Sequence, residues 1–108
     1  MMELRSGTIS LITSIRDLVD THGGIDGYLF GSAARFATSP LDLDILLVYE
    51  PGLLPEAHAL AQSLRDLTTY WIVDVIAMSK AEEEDLNFIR GVGARSLSQY
   101  PGDGGAGR

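Results

Sequence analysis

"LFGSAARFATSPLDLDILLVYE" spans Leu29 to Glu50. Its second half, "LDLDILLVY", alternates apolar and acidic residues and then turns wholly apolar, the pattern of a strand running into a core. Asp42 and Asp44 sit one residue apart within it. Charged groups on a core strand are expensive unless something pairs with them. Side chains alternate across a strand, so the two carboxylates are expected on one face as near neighbours. Like charges so placed repel, and one takes up a proton unless a cation lies between them. A divalent metal resolves the conflict. Mg²⁺ takes hard oxygen ligands, typically one or two carboxylates completed by phosphates and water. The plain alternative is a pair of strand-edge acids facing water.

Upstream, "GYLFGS" reads as a short strand ending at Gly31. Glycine lets the backbone turn and approach a ligand closely. "SAARFAT" has room for one or two helical turns, whose free N–H groups and positive dipole end would seat a phosphate. The Ser32 hydroxyl adds a donor. Gly31 as a simple turn residue and Ser32 as a helix N-cap are the bland readings, and the cap does not exclude the phosphate role. Arg35 is either a solvated surface residue or a phosphate contact, since a guanidinium engages phosphate oxygens bidentately. A third acid, Asp74, stands between Val73 and Val75 in "WIVDVIA". If the second and third strands are neighbours in register, Asp74 joins the face of Asp42 and Asp44. Otherwise it is a partly exposed strand acid.

The rest of the chain frames these strands. Ile9, Ile12, Ile15, Leu18 and Val19 recur at helical spacing, which predicts an amphipathic helix from about Thr8 to Asp20, stopped by Gly23 and Gly24. Ser39-Pro40 marks a turn. Pro55 opens a helix to about Thr68. "TYWIVDVIAMS" is β-branched and aromatic, a third strand from about Tyr70 to Met78. Ser79 with Glu82 forms a capping box that starts a helix through about Arg90, and Gly91 and Gly93 weaken any continuation. The expected order is α-β-(short α)-β-α-β-α. The helical crossover makes strands two and three parallel, and the short connection allows strands one and two to be antiparallel. One domain over residues 1–98 and a disordered Gly-rich tail over 99–108 are expected.

Composition narrows the class. The 108 residues suit one core, and 45% apolar residues is ordinary for a globular chain. No cysteine is present, which excludes disulfides, zinc-thiolate sites and a thiol nucleophile. A formal net charge of -7 argues against non-specific nucleic-acid binding. It suits a site that collects divalent cations, or a basic protein partner. The opening "MMELRSGTISLITSIRDL" does not read as a signal peptide, and no apolar run reaches the roughly 18 residues of a membrane span. A cytoplasmic protein is the expectation. His22 and His58 have no acid–base partners in the sequence and read as structural or solvent-facing. "EEED", Glu82 to Asp85, reads as a solvated first turn, and Trp71 as a core or interface aromatic.

Gly31-Ser32, nine residues, then Asp42-Leu43-Asp44-Ile45 resembles the signature of the polymerase-β-like nucleotidyltransferases. Asp74 is similar to that superfamily's last carboxylate on a later strand. The short chain and "GSAAR" look most like the minimal nucleotidyltransferases, small proteins often acting as antitoxins to HEPN-domain toxins. The resemblance covers roughly Thr8 to Arg90. Where the family commonly has Gly after the Arg of this motif, this chain has Phe36.

The resemblance implies an α/β (α+β) fold with a small mixed sheet and helices packed mainly on one face. It implies that Asp42, Asp44 and Asp74 are the catalytic acids and hold one or two Mg²⁺ ions. Gly31, Ser32 and Arg35 would bind the nucleotide. AMP would pass from ATP to a hydroxyl of a partner protein such as a HEPN-type toxin, with release of pyrophosphate. A partner or a second copy of the chain would complete the site. The rival reading is a non-catalytic nucleotide-binding or docking antitoxin that neutralises its partner by binding. A weaker one is transfer to a small molecule, for which no substrate-binding domain is found.

Overall fold

The apolar run after Asp44 forms the centre of the molecule. In the computed structural model, which describes residues 6–31, 42–67 and 72–100, strand β2 runs from Asp42 to Tyr49. The side chains of residues 6–9 and 42 lie outside the description. Leu43, Ile45, Leu46 and Leu47 of β2 are fully buried, so both faces of the strand are covered. A strand covered on both sides needs no polar alternation, which is why the sequence loses it after Asp44.

β1, Ile25–Phe30, pairs antiparallel with β2. β3, Ile72–Ser79, pairs with it in parallel on the other side. A two-residue strand β4, Arg95–Ser96, pairs antiparallel with β1. The sheet order is β3-β2-β1-β4, a four-stranded mixed sheet.

Helices α1, Ser6–Asp20, and α2, Leu54–Arg65, cover one face. Ile12, Ile15 and Val19 of α1 and Ala57, Leu60, Ala61 and Leu64 of α2 meet Leu29, Leu43, Ile45 and Leu47 there. Each fully buried Leu or Ile contributes about 1.5–3 kcal/mol. α2 is the crossover that parallel β2 and β3 require. Among the described residues the opposite face is covered only in part. Phe88 and Ile89 pack there against Leu46, Val48 and Met78, alongside Tyr28 and Phe30. The α+β architecture with a mixed sheet and helices mainly on one face is as expected.

Several boundaries differ from the sequence reading. The helix begun by the Ser79–Glu82 capping box is two short pieces, α3 at Lys80–Leu86 and α4 at Phe88–Val92. Asn87 separates them in the left-handed region at φ 54°, which Asn tolerates better than most residues. The Glu83 carboxylate accepts the Ile89 N–H at 2.9 Å and so caps the second piece. Glu83 therefore has a structural task that a solvated acidic face did not suggest. The capping box itself is as read: Glu82 N–H donates to Ser79 Oγ at 3.1 Å and Ser79 N–H to Glu82 Oε1 at 2.8 Å. α2 stops at Arg65, short of Thr68.

At the C-terminal end a 3₁₀ turn, Leu97–Gln99, follows β4. Leu97 is buried against β1, where a Cβ on Gly27 would meet its Cδ1 at 2.5 Å and Val19 Cγ1 at 3.3 Å. Arg16 of α1 donates to the Tyr100 carbonyl at 2.6 Å. Gln99 and Tyr100 are held in place by this turn and by that bond. His22 lies against the end of α1, its Nδ1 3.1 Å from the Leu18 carbonyl, in keeping with a structural role. The turn of residues 39–40, the short helix expected in "SAARFAT", Trp71 and the tail 101–108 fall outside the described residues.

Candidate active site

The pleat and the register together decide which residues meet. Val73 and Val75 of β3 face the helices, so Asp74 faces the other way. In the parallel β2–β3 ladder Asp44 is the direct partner of Asp74. Neighbouring strands lie about 4.8 Å apart, so the two acids stand side by side at one level of the sheet. In the antiparallel β1–β2 ladder Asp44 faces Phe30. The chain leaves β1 one residue later, at Gly31. The end of β1 and the start of β2 are therefore adjacent, as an antiparallel pair requires.

Gly31 is at φ +79°, a conformation that glycine adopts without strain. A Cβ built on it would fall onto the Asp44 carboxylate, with Asp44 Cγ 3.2 Å away and Asp44 Cβ 3.5 Å away. The space a side chain would take at residue 31 is thus filled by the acid. Glycine here does two things: it turns the chain and it makes room for Asp44.

Asp44 is half-buried and Asp74 is exposed. Among the described residues, their neighbours on this face include large apolar side chains. Phe30 sits level with Asp44 and meets Phe88 edge to face, ring centroids 5.3 Å apart at 89°. Ile72 and Ile76 flank Asp74 along β3 and are exposed. Tyr28 lies further along the face, and burial pushes its hydroxyl pKa up, with Asp26 and Glu83 adding to the rise and Lys80 opposing it.

Asp42 opens β2, two residues before Asp44 and opposite Ile72; its side chain is outside the described residues. Ser32 and Arg35 lie outside them as well. Among the described residues no group of three His, Asp or Glu side chains is close enough to hold a metal ion. The pair Asp44–Asp74 fits Mg²⁺ in its chemistry, because that ion commonly takes one or two carboxylates and fills its other positions with phosphate oxygens and water.

The alternation that puts Asp74 on one side of its strand, and Gly31 as a turn residue, are legible in the sequence. The aromatic pair Phe30–Phe88 was not read from it, because its members lie far apart in the chain and only the packing of α4 joins them. Among the described residues no helix is long and apolar enough to cross a membrane.

No protein-family description matches the chain, and no curated protein is similar to it. Among solved structures it is similar to a "putative nucleotidyltransferase" from Sulfolobus solfataricus, a crystal structure at 1.40 Å resolution. Sequence identity is 25%, 71% of each chain is covered, and the TM-score is 0.46.

Proposed function

We propose that the chain is a metal-dependent nucleotidyltransferase that moves AMP from ATP to a hydroxyl of a partner protein. The observation that carries the reading is the register. It sets Asp44 and Asp74 level on neighbouring parallel strands, with Gly31 giving up its side-chain space to Asp44. Two carboxylates so placed are oxygen ligands of the kind that Mg²⁺ commonly takes.

Asp44 and Asp74, with Asp42 beside them in sequence, are the residues that would hold Mg²⁺. When bound, the ion supplies charge neutralisation at the phosphates and at the attacking and leaving oxygens. The chain's own residues do the rest. Gly31 lets the backbone come close to a triphosphate, and Ser32 and Arg35 donate to its oxygens. Asp74, the more exposed acid, accepts the proton of the acceptor hydroxyl. The hydroxyl oxygen then bonds to the α-phosphorus as the bond to the bridging oxygen breaks, and pyrophosphate leaves. A HEPN-type toxin is the partner that the sequence resemblance suggests, which would make the chain an antitoxin, with a second copy of the chain as another way to complete the site.

Calorimetric titration of ATP with and without Mg²⁺ tests the site. Binding that needs Mg²⁺, and that an Asp42→Asn, Asp44→Asn double variant loses, is expected. Transfer of label from α-³²P-ATP to a partner protein tests the reaction. Tight partner binding with neither ATP binding nor label transfer would refute the enzyme and leave the docking antitoxin.

A further inference from the structure

β3 is an edge strand: among the described residues its only strand neighbour is β2. An open edge presents a row of backbone N–H and C=O groups to any extended chain that arrives. Beside this edge α2 leaves a groove of about 420 Å³, lined by His58, Ala61, Gln62, Arg65, Val75 and Ala77. The two alanines leave its floor low. Arg65 reaches β3, its Nη2 donating to the Val75 carbonyl at 3.3 Å. Only one of its five N–H donors is used there, which leaves others for a carboxylate.

The charge of this groove runs against that of the chain. The protein carries 15 Asp and Glu against 8 Lys and Arg. Yet among the described residues no carboxylate lines the groove, and its charged or chargeable members are Arg65 and His58. Asp66, held by Gln62 Nε2 at 3.1 Å, lies outside the lining. A groove between a helix and an open strand edge is the geometry in which a peptide adds as a further strand.

We propose that an extended segment of a partner protein, carrying an acidic side chain, docks here as a fifth strand on β3, its acid against Arg65. The pleat gives the docking a consequence. The arriving strand displaces Arg65 from the Val75 carbonyl, and a residue level with Val75 points toward α2, where the freed guanidinium takes its carboxylate. Its neighbour in sequence pairs at the level of Asp74 and points to the opposite face, beside that acid. A Ser, Thr or Tyr at that position is delivered to Asp74. Docking stands by itself, and delivery to Asp74 rests on nucleotidyl transfer.

The probe is a short acetylated peptide of alternating Thr and Val whose central Val is replaced by Glu, compared with the same peptide carrying Lys there. Binding to the full chain is followed by amide chemical shifts. The Glu peptide is expected to bind about fivefold tighter than the Lys peptide, the scale of an exposed ion pair. The largest shifts are expected at Val73, Val75 and Ala77. Arg65→Glu should reverse the preference, and Gln62→Arg, an exposed site, should tighten the Glu peptide further. No binding, equal binding of both peptides, shifts elsewhere, or a preference unchanged in Arg65→Glu would each overturn the docking. Edge binding without AMP transfer to the peptide in the presence of ATP and Mg²⁺ would uphold docking and count against nucleotidyl transfer alone.

Discussion

Replacing Gly31 by Ala separates two effects that usually come together. The first is conformational: at φ +79° an L-residue pays about 1–2 kcal/mol for the left-handed region. Part of this is returned, because Ala restricts the unfolded chain by about 0.4–1 kcal/mol more than Gly does. The second is steric: the new methyl would fall onto the Asp44 carboxylate. Either Asp44 swings away or the start of β2 shifts, an overpacking effect of about 1–3 kcal/mol. Gly52 is the control. It also has a positive φ, +89°, but nothing lies within 4 Å of where its Cβ would be. Gly52→Ala therefore carries the backbone effect alone.

The expected result is that Gly31→Ala is less stable than Gly52→Ala by about 1–3 kcal/mol. In urea unfolding, with a slope of about 1–1.5 kcal/mol/M, that is a midpoint difference of about 0.7–3 M. In an Asp44→Ala background the extra loss should vanish, because the methyl then has space, and the cycle isolates the contact. Equal destabilisation by Gly31→Ala and Gly52→Ala would refute the claim that Asp44 occupies the space of the missing side chain. So would a cycle with no coupling.

Asp74→Asn should lower AMP transfer by about 10²–10⁴-fold, the usual range for a lost general base, measured as label transfer at saturating ATP. Its stability should stay within about 0.5 kcal/mol of wild type, because the side chain is exposed. Ser79→Ala removes half of the capping box and should cost about 1 kcal/mol in urea unfolding. The pKa values of Tyr28 and Tyr100 are raised above 10.0, both chiefly by burial, with Arg95 opposing the rise at Tyr100. The folded state therefore keeps these protons after the unfolded chain has lost them, so stability is full below pH 10 and falls as pH rises beyond it. Thermal unfolding from pH 9 to 11 should show the decline, and Tyr28→Phe should make it shallower; an identical slope in the variant would contradict the assignment.

What the sequence determined by itself is local or periodic. The Ser79–Glu82 capping box was legible because both partners lie within one helical turn. The spacing of Ile12, Ile15 and Val19 marked the buried stripe of α1, and the apolar run after Asp44 marked the central strand. The helix between β2 and β3 made their pairing parallel, since parallel strands need a crossover. Other features depended on contacts between distant residues. Asn87 broke a helix whose composition allowed it to continue, because Phe88 and Ile89 pack back onto Leu46 and Met78. β4 is two residues long and has no periodicity to read; its pairing with Tyr28 and Leu29 holds it. The site belongs to both levels. Alternation could place Asp74 on one side of β3, but only the hydrogen-bond ladder sets it opposite Asp44 rather than two residues away, because register is a property of two strands together. Gly31 was visible as a turn residue. That its missing side chain is the room in which Asp44 sits is decided by the tertiary structure, where β1 ends against the start of β2.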